Sequence, residues 1–135
     1  MAQSDNGTLK LVVLTIDRSV YEGNVESVTG LGTDGEFTVL PNHVAFMTPL
    51  EIGILTLRQQ SREEAIALHA GFLRVEDNVV TVLADAAERA EDIDVERARA
   101  AKQKAEELLR GAKDAESAGA SLRRALLRLR VAGKM

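Results

Sequence analysis

Residues 80–101 read VTVLADAAERAEDIDVERARAA, and the spacing of the apolar residues changes within this stretch. Valines flank Thr81, which is the alternation of a strand with one buried face. From about Asp85 onward the apolar residues recur every three or four positions, which is typical of an amphipathic helix. The sequence therefore predicts a β-domain over residues 1–84 and a helical domain over residues 85–135.

Seven segments of the first domain have the short, β-branched, alternating composition of strands. They are LKLVVLT (9–15), NVESVTGL (24–31), EFTVL (36–40), IGILTLRQ (52–59), EAIALHA (64–70), GFLRVE (71–76) and NVVTVLA (78–84). The stretches TDG, PNH, QSRE and EDN between them are typical of turns and loops. Many short strands with no helical pattern among them predict an all-β sandwich, a flattened antiparallel barrel.

The second domain contains two stripes of apolar residues at helical spacing. The first consists of Val95, Ala98, Ala101, Ala105 and Leu108, and the second of Ala115, Ala118, Leu122, Ala125, Leu126 and Leu129. Gly111 is suited to follow the end of the first helix. A short connection between two amphipathic helices predicts an antiparallel two-helix hairpin, here over residues 93–132.

The inner face of this hairpin is rich in alanine. Replacing a buried leucine by alanine typically costs about 2–5 kcal/mol, so an alanine-lined face gains comparatively little from packing. Alanine also has the highest helix propensity of all residues. We therefore expect helices that are stable as helices but dock weakly, and that a ligand of modest affinity could hold in place.

The composition excludes several classes of protein. The 135 residues include no cysteine, which removes disulfides, thiolate zinc sites and a cysteine nucleophile. No segment approaches the roughly 18 consecutive apolar residues of a membrane span, so we expect no direct membrane insertion. The N-terminus lacks the apolar core of a signal peptide. With three Phe, one Tyr and no Trp, the chain offers few stacking platforms, and no nucleic-acid partner is predicted.

The net charge is −4, but the C-terminal end is basic. From Ser117 onward there is no acidic residue. Bases near a helix C-terminus oppose the helix dipole favourably, which is a sufficient reason for Arg130 and Lys134. Arg124 and Arg128 come earlier and lie one turn apart, so they are candidates for binding an anion or an acidic surface.

No group of residues has the spacing of a catalytic or metal site. GLGTDG (30–35) satisfies the pattern GxGxxG, but a strand follows where the dinucleotide motif requires a helix, so a hairpin turn is predicted. His43 and His69 are the only histidines, and neither stands at metal-ligand spacing from a carboxylate. The sequence contains no GxSxG elbow and no HExxH helix. We therefore predict no catalytic residue and no metal-binding residue.

The segment LPNHVAFMTPLEIG (40–53) has two interpretations, and both remain open. It is either a loop that crosses an edge of the sandwich, or an apolar docking surface for a partner. The second interpretation rests on the cost of exposing valine, phenylalanine and methionine together in a loop.

The segment DIDVERARAA (92–101) also has a structural and a functional interpretation. Asp92 or Asp94 is suited to cap the first helix, and for Asp94 this role needs neither Arg97 nor Ala98. In a binding site, the guanidinium of Arg97 offers a planar cation for phosphate, and the small Ala98 lets a flat ring approach the backbone. The arginine pair of the second helix could then bind the same phosphates.

Four segments resemble the epsilon subunit of F-type ATP synthases. Residues 80–109 resemble the junction between the two domains of that subunit, and residues 121–131 resemble its C-terminal helix. Residues 35–53 and 69–85 are similar to its β-domain. The similarity spans nearly the whole chain in the right order.

The resemblance implies a non-catalytic subunit in the central stalk, or rotor, of a proton-transporting ATP synthase. The β-domain would contact the gamma subunit and the c-ring, as part of a complex on the cytoplasmic face of the bacterial cell membrane. The hairpin would permit ATP hydrolysis when it is folded against the sandwich. It would inhibit hydrolysis when it extends into the alpha/beta catalytic head, where its basic end meets an acidic segment of beta.

Some bacterial members of that family bind ATP in the folded hairpin through an I/L-D-x-x-R-A box. The resemblance thus implies a regulatory ATP site here, although no cofactor is required. In such a site ATP stabilises the folded state through its higher affinity for that state. The corresponding residues of this sequence are Glu88, Ile93, Asp94, Arg97, Ala98, Arg124 and Arg128.

Two other classes of protein are compatible with parts of the sequence. The alternative to a rotor subunit is a free-standing nucleotide-sensing module, whose hairpin closes on ATP outside any motor. Co-purification separates these two, because only a rotor subunit is found with a gamma-containing assembly. A small β-sandwich enzyme is disfavoured because the catalytic motifs sought above are missing.

Overall fold

The computed structural model describes residues 7–110 and 115–133 of the chain. The first domain is built from eight strands, and the second from two helices. The strands are β1 (Leu9–Leu14), β2 (Ser19–Val25), β3 (Ser27–Gly32), β4 (Gly35–Val39), β5 (Phe46–Gln59), β6 (Arg62–Glu76), β7 (Val79–Ala84) and β8 (Ala87–Arg89). After a 3₁₀ turn, Ala90–Asp92, come α1 (Val95–Arg110) and α2 (Ala115–Val131).

The strands pair in the order β2-β1-β7-β6-β5-β3-β4, and β8 pairs with β6. β5 and β6 pair with each other from Phe46↔Val75 to Gln59↔Arg62, so they form the long hairpin of the domain. The first part of β6 also pairs with β8 and its last part with β7, so this strand contributes to both layers. The predicted fold class is confirmed, with one parallel pair, β1 and β7, among the antiparallel ones.

The long strand β6 changes direction at Ala70 and Gly71, both of which have a positive φ, +66° and +146°. A Cβ atom at Gly71 would lie 2.2 Å from the carbonyl oxygen of Leu83. Only glycine therefore fits this position, because both the dihedral angle and the approach of the neighbouring strand exclude a side chain. The bend lets one strand pass between the two layers.

The core of the β-domain consists of leucine, valine and isoleucine side chains from all the longer strands. Alternate residues of β1, Leu9, Leu11 and Val13, are buried, whereas Lys10 between them is exposed. Several core side chains are completely inaccessible to solvent. They include Leu11, Val13, Val28, Val39, Leu55, Ile66, Leu73, Val80 and Val82.

Several predicted strand limits are wrong. The predicted strands 64–70 and 71–76 form one strand, because Gly71 bends β6 without ending it. The predicted strand 24–31 is divided between β2 and β3, and most of β2 was missed. The segment 40–53 is a loop only as far as residue 45, because β5 begins at Phe46. The turn predicted in GLGTDG is confirmed between β3 and β4.

The predicted boundary between the domains at residue 84 stays a prediction, and strand pairing continues beyond it. In β8, Ala87 pairs with Leu68 and Arg89 pairs with Ile66. Arg89 also donates two hydrogen bonds to the Glu64 carboxylate, from Nε at 2.5 Å and from Nη2 at 3.0 Å. Residues 85–92 therefore lead into the hairpin while they remain attached to the sandwich.

The two helices pack through alanine, as the helical stripes predict. The alanines at this contact that are buried are Ala98, Ala105, Ala118 and Ala125. Leu108 was predicted on the inner stripe, but it is 42% exposed, so that assignment is wrong. Gly111, which was predicted to follow the first helix, and the side chain of Ala115 lie outside the described residues.

The hairpin docks on the sandwich through α2, which lies against β5 and β6. The buried part of this contact is a small cluster of Ala67, Ile93 and Leu127. Leu127 was not in the predicted stripe, because its side chain faces the sheet and not the other helix. Within the described residues, no helix has the length and apolar character needed to cross a bilayer.

Candidate functional site

Asp94 caps the N-terminus of α1. Its Oδ1 accepts a hydrogen bond from the backbone N–H of Arg97 at 3.1 Å, and its carbonyl accepts one from the N–H of Ala98 at 3.0 Å. This is the usual geometry of an aspartate cap, and the negative charge also opposes the helix dipole. The structural role predicted for Asp94 is therefore confirmed.

A cavity of about 400 Å³ lies between β8, the start of α1 and the end of α2. Its volume is at the lower end of the usual range for small-molecule sites. Its lining contains five of the seven residues that the sequence proposed for an ATP site. The lining residues are Glu88, Asp92, Asp94, Arg97, Ala98, Ala101 and Arg128.

The two other proposed residues do not line this cavity. Ile93 is 8% exposed and belongs to the apolar cluster under the hairpin, so it holds the adjoining Asp94 in place by packing. Arg124 lies one turn before Arg128 on α2, and its guanidinium is close enough to His69 to affect that side chain electrostatically. The Nη1 atom of Arg124 is buried and has no hydrogen-bond partner among the described residues.

Glu88 is the centre of a polar network that joins β8, β6 and α2. Arg128 donates a hydrogen bond from Nε to Glu88 Oε1 at 2.5 Å. The Nε2 atom of His69 lies 3.4 Å from the same carboxylate oxygen. This network is the polar part of the contact between hairpin and sandwich, and it borders the cavity.

The pKa of His69 is lowered from its ordinary value near 6.5. The largest cause is burial, which disfavours the charged imidazolium. Arg128 and Arg124 lower the pKa further, whereas Glu88 opposes them. The imidazole is therefore neutral at pH 7.

The charged side chains that line the cavity differ in whether they have an ion-pair or hydrogen-bond partner. Glu88 is paired with Arg128, and Asp94 accepts a backbone N–H. Asp92 lies 4.0 Å from Arg18. Among the described residues, the Arg97 side chain takes part in no ion pair. The guanidinium of Arg97 is thus available to an anion, in a cavity that Asp92 and Asp94 also line.

Sequence reasoning missed the position of His69 in this network. His69 and Glu88 are 19 residues apart in the chain, and the pairing of β6 with β8 brings them together. β8 itself is only three residues long and follows a turn, so its periodicity carried no signal. The one signal that could have pointed to this residue is a histidine within an otherwise apolar strand, since polar side chains there need a partner.

Two groups of large apolar side chains are exposed on the sandwich, at places away from the hairpin cluster. The first lies in and beside the 40–53 segment, where Val44 is 74% and Met47 is 64% exposed. The second surrounds a shallow cavity of about 510 Å³. Its exposed members are Ile16, Phe72 and Leu83. Exposed apolar groups of this kind are typical of docking surfaces.

Fold and site together define a two-domain protein in which a helical hairpin closes a charged cavity against a β-sandwich. Residues 8–90 match the β-sandwich domain of the ATP synthase delta/epsilon chain, and residues 91–133 match the long α-helix domain of that chain. The chain therefore belongs to the ATP synthase delta/epsilon chain family.

The curated relatives are ATP synthase epsilon chains. The one from Halalkalibacterium halodurans is 45% identical over 131 residues, which cover 94% of this chain and 98% of the relative. The one from Anoxybacillus flavithermus is 50% identical over 102 residues, or 76% of each chain. A chain in the structure of the Euglena gracilis mitochondrial ATP synthase, OSCP/F1/c-ring, matches with a TM-score of 0.70 at 21% identity. That alignment covers 95% of this chain and 79% of the other and indicates a shared fold.

Proposed function

We propose that this protein is a non-catalytic subunit of the central stalk of a proton-transporting ATP synthase. The β-sandwich docks on the gamma subunit and the c-ring, and the hairpin regulates ATP hydrolysis by leaving the sandwich and entering the alpha/beta head. The complex lies at the cytoplasmic face of a bacterial membrane, to which this chain is peripheral. Family membership and the exposed apolar groups of the sandwich support the first part of this proposal.

The observation that carries the regulatory part is the small size of the contact between hairpin and sandwich. Ile93 and Leu127 are the large side chains of its buried cluster among the described residues, and the partly buried Ile52, Ile54, Val131 and Ala132 pack against it. Burying two such side chains contributes about 1.5–3 kcal/mol each, before any cost of ordering. Since the helices also pack through alanine, the docked state is separated from an undocked one by a few kcal/mol. A ligand or a partner subunit can shift an equilibrium of that size.

ATP is the proposed ligand that favours the docked hairpin. Arg97 offers a free guanidinium to the phosphates, and Arg128 adds a second one at the opposite wall. The Nη1 atom of Arg124 is a further unpartnered donor, but Arg124 does not line the cavity, so a phosphate oxygen reaches it only if the end of α2 shifts. Glu88 and Asp94 are acceptors suited to an amino group or to hydroxyls, although their charge also limits the affinity for an anion. These residues fit the nucleotide when Arg128 exchanges part of its contact with Glu88 for phosphate.

Removal of the hairpin from the assembled complex tests the division of labour between the two domains. The truncated chain should end at Asp92. A cut before β8 would damage the sandwich, because β8 pairs with β6 and Arg89 binds Glu64. We expect ATP hydrolysis to rise while assembly and proton-coupled ATP synthesis are retained. Unchanged hydrolysis would contradict inhibition by the hairpin, and loss of assembly would contradict docking through the sandwich alone.

Calorimetric titration of the full chain with magnesium-free ATP tests the nucleotide site. We expect Arg97→Ala to weaken binding by about tenfold or more, because a charge-assisted hydrogen bond contributes about 1.5–3 kcal/mol. Arg123→Ala is the matched control, since Arg123 is an exposed arginine of α2 outside the cavity lining. No binding by the wild-type chain at millimolar ATP, or equal effects of the two variants, would refute the site.

A further inference from the structure

His69 is a buried polar residue at the contact between sandwich and hairpin. It is 6% exposed, and it is the one buried polar or charged residue of the described parts of the chain. Since the Glu88 carboxylate can only accept, Nε2 of His69 carries the proton in the 3.4 Å contact. The other ring nitrogen, Nδ1, is therefore a bare acceptor, and it is buried without a partner among the described residues.

The charged groups that face His69 come from two elements. β8 contributes Glu88, and α2 contributes Arg124 and Arg128. The neighbouring residue on β5 is Ile52, which has no charge. The adjoining cavity adds Asp92, Asp94 and Arg97, which line it together with Glu88 and Arg128.

The charges around the ring are closest to balance while the imidazole is neutral. Glu88 then forms one ion pair with Arg128, and Arg124 is the single uncompensated cation beside the ring. A proton on Nδ1 would place three cations around one carboxylate and would leave a buried N–H without an acceptor. Each of these changes is unfavourable inside the contact, and each is relieved when α2 moves away, because water then reaches the ring and both arginines leave.

We propose that His69 is a proton-binding site of the docked hairpin, and that protonation at Nδ1 releases α2 from the sandwich. The inference rests on the proposed movement of the hairpin and specifies its regulation. Acidic pH thus favours the undocked hairpin, which is the state proposed to inhibit hydrolysis.

The direction of the pH dependence follows from the two protonation equilibria. In the docked state the pKa of His69 is below 6.5, whereas in the undocked state the ring is in water and its pKa is near the ordinary value. Both states are neutral above about pH 7, so docking is independent of pH there. Below 6.5 the undocked state takes up one proton more, and the docking constant falls by up to about tenfold per pH unit until the docked pKa is passed.

A fluorescence distance measurement on the full chain tests the proposal. The chain has no cysteine, so dyes can be attached through Ser61→Cys, in the exposed β5–β6 turn, and Ser121→Cys, on the exposed side of α2. The wild-type docked fraction should fall between pH 7.5 and 5.5, with a slope approaching tenfold in the docking constant per pH unit. His69→Gln should abolish this slope.

The second histidine provides the matched control. His43 lies in the loop before β5, where its Nδ1 contacts the carbonyl of Val44 and its ring lies against Phe46. His43→Gln should therefore keep the wild-type pH response. Equal pH responses in the wild type and in His69→Gln would overturn the proposal.

A second measurement needs no substitution at His69. In His43→Gln, His69 is the sole histidine, so its ring can be titrated by ¹H–¹⁵N NMR. Starting from the docked hairpin at pH 7.5, the midpoint of this titration should lie below 6.5. A midpoint at or above 6.5 would overturn the proposal even if His69→Gln failed to fold.

The same labelled chain separates this proposal from the proposed function. Arg128→Ala removes the ion pair to Glu88 and should lower the docked fraction at pH 7.5. A distance that stays constant in that variant and at every pH would refute the movable hairpin itself. A distance that responds to Arg128→Ala, together with a pH response that is unaffected by His69→Gln, would refute only the role of His69.

Discussion

The sandwich and the hairpin both have regular secondary structure, but the sandwich buries far more apolar surface than the hairpin does. The sandwich buries leucine, valine and isoleucine from strands that are distant in the chain. The hairpin buries chiefly alanine between its helices and docks on the sandwich through Ile93 and Leu127. The stability of a helix and its packing against the rest of the protein are therefore separable, because alanine favours the helix but contributes little to docking.

The first test of this comparison, with the largest expected effect, replaces one leucine in each domain. Leu55→Ala removes a fully buried core side chain and should lower the free energy of unfolding by about 2–5 kcal/mol. Leu108→Ala, at a 42% exposed position of α1, should change it by no more than about 0.5 kcal/mol. Urea denaturation followed by circular dichroism measures both. Equal losses would mean that the half-exposed Leu108 contributes as much to stability as a leucine of the sandwich core, and would contradict the comparison.

The second test sharpens the comparison at the contact between the domains. Leu127→Ala empties the centre of the docking cluster and should weaken docking by about 2 kcal/mol, roughly thirtyfold, while the sandwich remains folded. Amide hydrogen exchange should show less protection of the β5 and β6 positions beneath α2, with the β1–β7 pairing unaffected. Leu83→Ala, at a 57% exposed position, is the control and should leave both regions unchanged. Global unfolding of Leu127→Ala would contradict a separable hairpin.

The third test concerns the helix cap, and its effect is the smallest. Asp94→Ala removes the acceptor for the Arg97 N–H and should cost about 1 kcal/mol of stability in the first turn of α1. Asp94→Asn keeps a capping oxygen and should restore most of this stability. If Asp94→Asn is as well capped as the wild type but binds ATP differently, the carboxylate has a ligand role besides its structural one. Equal fraying of the helix in Asp94→Ala and Asp94→Asn would show that the capping hydrogen bond does not explain this residue.

The pH dependence of docking belongs to the same comparison. Neutral His69 is tolerated at the contact because Glu88 is already paired with Arg128. A polar contact of this kind is sensitive to one proton. In the buried core of the sandwich, the one titratable side chain among the described residues is Tyr21, whose pKa is raised from its ordinary value near 10 by burial, so it stays neutral between pH 5.5 and 7.5. Stability of the sandwich should therefore be less dependent on pH between 5.5 and 7.5 than docking of the hairpin.

How far the candidate site could be predicted differs from residue to residue. Asp94 was assigned as a cap from local spacing, and the hydrogen bond from Arg97 confirms it. The cavity brings Arg97 and Arg128 together, although 31 positions separate them, because the helices are antiparallel. Arg124, proposed for the same phosphates, lies instead beside His69. A helical stripe alone does not tell which of two residues one turn apart borders the cavity.

The order of the two domains, the strands of the first and the helices of the second can be predicted from the sequence. These properties follow from local spacing of apolar residues, which each segment carries within itself. No local pattern predicts the bend at Gly71, the parallel pairing of β1 with β7 or the contacts of His69 and Arg128 with Glu88. These contacts depend on which surfaces approach each other in space, and that is set by packing between segments that are far apart in the chain.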